Sequence, residues 1–90
     1  MSVFIDDMRT PFRGMLMCHM IADSPDELHR MATAIGLARR WVQFPGTARE
    51  HYDISIETRA IAVQLGAVAV TRRELIMRIR EKRAALGLSE

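Results

Sequence analysis

Residues 15–36 read MLMCHMIADSPDELHRMATAIG, and the order of residue types in this stretch decides the fold class. Met15 to Ala22 is almost wholly apolar and is bounded by Gly14 and Asp23. It is too continuous for a half-exposed strand and too short for a confident helix, so it predicts a strand buried on both faces. Three helix-start signals follow. Ser24 can cap, Pro25 suits the first helical position, and Glu27 completes a capping box. Leu28, Met31, Ala32 and Ile35 recur on one helical stripe, and Gly36 supplies the left-handed exit.

Working outward, Val3-Phe4-Ile5 predicts a short strand ending at Asp6-Asp7, and Arg9 to Gly14, with Pro11, predicts a loop. Leu37 to Phe44 predicts a strand before the Pro45-Gly46 turn. His51 to Ile54 fits a very short strand or an ordered loop, residues 56–65 a helix closed by Gly66, and Ala67 to Val70 a buried strand. Thr71-Arg72-Arg73-Glu74 is a second capping box, opening a helix through Leu75, Ile76, Ile79 and Leu86 to Gly87. A shift of thirty residues lays Asp23, Glu27, Met31, Ala32, Ile35 and Gly36 on Asp53, Glu57, Ile61, Ala62, Leu65 and Gly66, an echo that any two acid-led helices with glycine exits would share. Strand–helix units in series call for crossovers. The expectation is a small single-domain α/β fold over residues 1–90, in two or three layers, with three helices and a mainly parallel sheet.

An apolar share of 49% is ample for one core in a 90-residue chain. Cys18, the single cysteine, excludes an internal disulfide and reads as a small buried hydrophobe in a reducing compartment. No apolar run reaches the length of a membrane span, and the first residues carry acids rather than a basic signal region, so a cytoplasmic protein with no membrane partner is expected. The net charge of +2 divides unevenly: residues 1–71 carry seven basic and eight acidic side chains, residues 72–90 six and three. A basic final helix is compatible with acidic partners, nucleic acid among them, although an ordinary solvated face is the simpler account and predicts weak binding or none. Walker, GxGxxG, CxxC, HExxH and GxSxG motifs are all absent.

All three histidines stand within four residues of a carboxylate: His19 before Asp23, His29 after Asp26 and Glu27, His51 before Asp53. Imidazole and carboxylate are common partners both in metal ligation and in general acid–base chemistry. In open α/β sheets ligands bind beyond the carboxyl ends of the strands, which would gather Asp6, Asp7, Asp23, Asp53 and the starts of the helices. The candidate metal ligands are Asp6, Asp23, His19 and His51, and the candidate catalytic groups are His19, His51 and Asp53. Arg59, Tyr52 and Trp41 are the candidate substrate contacts, Arg59 for phosphate and Trp41 for stacking. Each has a structural alternative: Asp23 as a helix-start acid, His19 as a core histidine, the His51-Tyr52-Asp53 run as a loop staple, Trp41 as core.

The strings Val3-Phe4-Ile5-Asp6-Asp7, Met17-Cys18-His19-Met20-Ile21-Ala22-Asp23, Glu27-Leu28-His29, Ile35-Gly36, Arg39-Arg40-Trp41, His51-Tyr52-Asp53-Ile54, Arg59 and Gly66-Ala67 resemble a family of short bacterial and phage proteins described as domain of unknown function 4031. The resemblance covers nearly the whole chain and implies no particular activity. The residues themselves lead to two readings. The first is metal-assisted hydrolysis or binding of a nucleotide or nucleic-acid phosphate ester, with a divalent ion as cofactor. The second is a non-catalytic module that sequesters a ligand or engages another protein, as a homo-oligomer or otherwise.

Overall fold

The structure, a computed structural model, describes residues 2–87. Among these the chain forms strands β1 (Val3–Ile5), β2 (Thr10–Phe12) and β3 (Met15–Ala22), helix α1 (Pro25–Ala34) and a 3₁₀ turn (Arg39–Trp41). Strand β4 (Tyr52–Ser55), helix α2 (Ile56–Gln64), strand β5 (Val68–Ala69) and helix α3 (Arg72–Ala85) complete it. The caps act as the residue types require. Ser24, Ser55 and Thr71 accept the amides of Glu27, Thr58 and Glu74, and Glu74 returns its carboxylate to Thr71 N.

β3 is the centre of the mixed five-stranded sheet. It pairs antiparallel with β1, β2 and β4, while β1 and β5 pair in parallel. Met20 lies between Ile5 and Tyr52, and Met17 between Thr10 and Ser55, so β1 and β2 share one flank of β3 and β4 takes the other. The sheet is therefore mostly antiparallel, not mainly parallel as the strand–helix order suggested. The crossover argument holds for β4–α2–β5, whose strands point the same way. It fails between α1 and β4, because residues 35–51 carry the chain back and bring β4 in against β3.

Two further expectations are corrected. The segment from Arg9 to Gly14 is not only a loop: it holds β2, and Arg13 and Gly14, at φ +49° and +78°, form the tight turn into β3. Left-handed φ at both central residues matches the twist of a two-residue hairpin. Leu37 to Phe44 is not a strand. Leu37 and Val42, half-buried against the core, are five residues apart, and the 3₁₀ turn lifts Trp41 outward between them. Only Gln43 bridges to the sheet, at His51.

Side-chain alternation gives the sheet two faces. Val3, Ile5, Cys18, Met20, Ala22, Tyr52 and Ile54 pack with Leu28 and Ala32 of α1 and Ala62 of α2. Phe4 and Ile21 face the other way and meet Leu75 of α3. The helices thus cover both faces. α3 crosses only one end of its face, and Met17, His19 and Asp53 stand on the remainder.

No helix among the described residues is long and apolar enough to cross a membrane.

Candidate functional site

The site is a row of side chains across three strands. Asp53 stands opposite His19 in the β3–β4 register. The β1–β3 register, continued by one residue, places Asp6 opposite His19 on the other flank, and Asp6 N donates to His19 O at 3.1 Å. Beyond Asp6 the ladder breaks. From Ile5 to Thr10 the chain takes five steps while β3 takes only three, Met20 to Met17, so residues 6–9 bulge out.

The bulge changes which atoms of Asp6 do the pairing. In a regular pair the His19 amide would donate to the Asp6 carbonyl. Here it donates to Asp6 Oδ1 at 2.8 Å, and the Asp6 carbonyl instead accepts Arg59 Nε at 2.9 Å. Asp6 Oδ2 lies 2.9 Å from His19 Nδ1. Arg72 Nη1 lies 3.4 Å from both of those atoms. An ionised carboxylate only accepts, so Nδ1 carries the imidazole proton and the arginine's favourable contact is with the carboxylate. The Asp6 side chain is 0% exposed. Burial alone would raise its pKa, but the bonds from the His19 ring, the His19 amide and the Met8 amide outweigh it and hold the carboxyl below its ordinary value.

His51 is oriented in a parallel way. Its Nδ1 lies 2.7 Å from Arg49 O, a pure acceptor, so this nitrogen also donates. The opposite nitrogens of both rings converge: Asp53 Oδ1 is 3.3 Å from His51 Nε2 and 3.8 Å from His19 Nε2. One ligand-type atom from each of His19, His51 and Asp53 falls within 4.8 Å of the others, a group that could hold a metal ion. Burial depresses the His51 pKa, but the bonds to Asp53 and to Arg49 O reverse this and leave it above its ordinary value. Asp53 is lowered, first by its bond to His51. Phe44, in the left-handed region at φ +50°, stacks its ring 6.0 Å from that of His51, and the Arg49 guanidinium covers Phe44 at 4.2 Å.

Beside the cluster lies a cavity of about 420 Å³ lined by Thr10, Pro11, Phe12, Met17, His19, Leu37, Trp41, Gln43 and Asp53. Its walls are largely apolar, with His19 and Asp53 at one side. Trp41, 60% exposed, is part of its rim rather than of the core.

Of the residues singled out in the sequence, Asp6, His19, His51 and Asp53 are brought together, and Trp41 lines the adjoining cavity. Arg59 arrives from α2, with its Nε given to a backbone carbonyl. Asp23 is not part of the group: it ends β3, where its carboxylate accepts Ser2 N at 2.8 Å. Tyr52 points to the opposite face, 0% exposed, with its hydroxyl 2.8 Å from His29 Nδ1. His29 also approaches buried Glu50 at 3.7 Å, a separate internal cluster. Arg72 was absent from the candidate site residues. It lies three residues beyond Ala69 of β5, whose parallel pairing with β1 carries it to the place where Asp6 follows β1, a pairing that the sequence does not display.

The cluster residues all fall inside the stretch that the known family covers. No curated protein and no solved structure matches the chain. A family model, described as protein of unknown function (DUF4031), matches residues 3–82, from the start of β1 into the last turns of α3. The chain belongs to that family.

Proposed function

We propose that His19, His51 and Asp53 hold a divalent metal ion, and that this site assists hydrolysis of a nucleotide phosphate ester seated in the adjoining cavity. One observation carries the reading. Both histidines have Nδ1 committed to an acceptor, Asp6 Oδ2 or Arg49 O, and turn Nε2 toward the same carboxylate oxygen. A carboxylate or carbonyl behind the ring fixes tautomer and orientation in metal-ligating histidines. Two imidazoles and one carboxylate suit zinc or another late first-row ion and leave a coordination position open. Such an ion supplies Lewis-acid polarisation and an activated water near neutral pH. Arg72, beside Asp6 at the edge of the cluster, supplies positive charge toward phosphate oxygens.

A second reading has its own support. The raised pKa of His51 beside the lowered one of Asp53 lets these atoms pair as imidazolium and carboxylate, with no metal between them. On that reading the domain captures its ligand and does not turn it over.

Thermal unfolding with added Zn²⁺ or Mn²⁺ tests the metal site. An ion at a hundred times its dissociation constant stabilises by about 2.7 kcal/mol, a shift of at least several degrees in a domain of this size. His51→Ala removes that shift. Equal responses in the wild type, His19→Ala and His51→Ala would end the metal reading. Metal-dependent release of nitrophenol from bis(p-nitrophenyl) phosphate then separates hydrolysis from capture, and metal binding without turnover keeps the ion and removes hydrolysis.

A further inference from the structure

We propose that the phosphate ester belongs to a single-stranded polynucleotide, with its backbone along an arginine groove on α3 and one base in the aromatic cavity. The assignment rests on the phosphate-ester reading above and names the class of substrate. The groove, about 620 Å³, is lined by Arg72, Arg73, Ile76, Met77 and Arg80. Arg73, Ile76, Met77 and Arg80 recur at three- and four-residue steps, so they form one stripe on the helix. Its lining carries three guanidiniums and no carboxylate. Two of the neighbouring charges are turned elsewhere: Arg78 lies over the Phe4 ring at 4.4 Å, and Glu74 is bonded to Thr71 N.

One contact ties the groove to the cavity. Arg72 lines the groove and stands 3.4 Å from His19 Nδ1, while His19 lines the cavity. The two concavities are thus linked through the Arg72–His19 contact, and a phosphate lying between a bound base and the groove would meet the Arg72 guanidinium. The cavity offers Phe12, Pro11 and Trp41 to a flat heteroaromatic face and the Gln43 amide to its polar edge. Arginine rows that track phosphates, combined with aromatic platforms for unpaired bases, are the working parts of single-strand recognition. A duplex keeps its bases stacked and away from such a cavity. A mononucleotide would leave the groove empty, and an acidic peptide would leave the aromatic walls unused.

The test is binding of a labelled oligothymidylate of about 12 nucleotides, followed by anisotropy across a salt series in EDTA, so that hydrolysis plays no part. The chain's one tryptophan, Trp41, reports cavity occupancy by its own fluorescence. The expected result is binding that weakens linearly in log salt, Trp41 quenching, and a matched duplex bound about tenfold more weakly. Arg73→Gln and Arg80→Gln should each lower the salt slope by about 0.7. Both side chains are exposed, so the melting temperature should hold. Absence of binding at low salt, an unchanged slope in the double variant, unchanged Trp41 fluorescence, or equal competition by polyglutamate would each overturn the proposal. Turnover of the small diester without oligonucleotide binding removes the polynucleotide and keeps the metal site. Oligonucleotide binding without metal-dependent turnover removes hydrolysis and keeps the polynucleotide as the ligand.

Discussion

Replacing Asp6 by asparagine keeps the shape of the buried side chain while changing one acceptor into a donor. In the wild type Oδ1 accepts the His19 amide and Oδ2 accepts His19 Nδ1, with Arg72 Nη1 nearby. An amide oxygen can keep the first bond, but the new NH₂ then faces two donors; flipping it sets the NH₂ against the His19 amide instead. The arrangement with fewest conflicts moves the imidazole proton to Nε2, so that Nδ1 accepts. Nε2 then has no lone pair to offer beside Asp53 and His51. Loss of such a supporting carboxylate lowers metal affinity about 10–100-fold, or about 1.4–2.7 kcal/mol. The metal-free fold also weakens. Charge-assisted bonds to His19 contribute about 1.5–3 kcal/mol, whereas the Arg72 side chain, 43% exposed, adds little because solvent screens it. Asp6→Ala leaves the His19 amide without its acceptor as well, which should cost about 1–3 kcal/mol more. Cobalt titration followed by visible absorption reads the affinity, and urea unfolding of the same samples reads stability. Should Asp6→Asn bind metal within about twofold of the wild type while His51→Ala does not bind, Asp6 does not set the tautomer of His19, and the reasoning fails.

The His51–Asp53 pair gives metal-free stability a two-sided pH dependence. The raised His51 pKa contributes fully below its ordinary value of 6.5 and is lost as pH rises through the folded value, while the lowered Asp53 pKa contributes above 3.8 and is lost as pH falls through its folded value. The difference in urea stability between wild type and His51→Ala should therefore shrink from weakly acidic to weakly alkaline pH, and a difference that grows would contradict the pairing. With metal present the alkaline limb reverses, since the ion needs the imidazole neutral. Leu75→Ala tests the attachment of α3: the side chain is 1% exposed against Phe4 and Ile21, and its truncation should cost about 2–5 kcal/mol by urea unfolding. A loss under about 1 kcal/mol would mean that Leu75 does not anchor the helix.

Local signals in this chain were legible because they act within one turn or one strand. Ser24-Pro25 and Thr71 start α1 and α3 at the residues their chemistry names, and the apolar run from Met15 to Ala22 is β3. Strand direction was not legible, since it depends on where residues 35–51 take the chain, and nothing in their composition says that they turn back. Patterning also misled between Leu37 and Phe44, where aromatic residues suggested a strand: Trp41 instead stands at the rim of the cavity, and Phe44 stacks on His51. Asp6, His19 and Asp53 emerged as candidates from residue type alone. Their alignment depends on two registers that the sequence does not display.

The echo of thirty residues shows how far such patterns carry. Ala32 and Ala62 both pack into the core, and each accepts the amide five residues on, from Leu37 and Ala67. Gly36 and Gly66 both exit with positive φ. The helical halves of the two units therefore correspond. Their acids do not: Asp23 directly precedes the capping serine Ser24, whereas Asp53 stands two residues before Ser55. Both acids fall on the face of the sheet that carries His19: Asp53 is its partner in the β3–β4 register, and Asp23 is four residues further along β3. What separates them is position along the strand. Asp23 lies past the end of β3, where its carboxylate accepts Ser2 N, while Asp53 lies within β4, opposite His19 and two residues from His51. The pairing of β4 with β3, which the repeat does not encode, is therefore what puts a carboxylate between the two histidines.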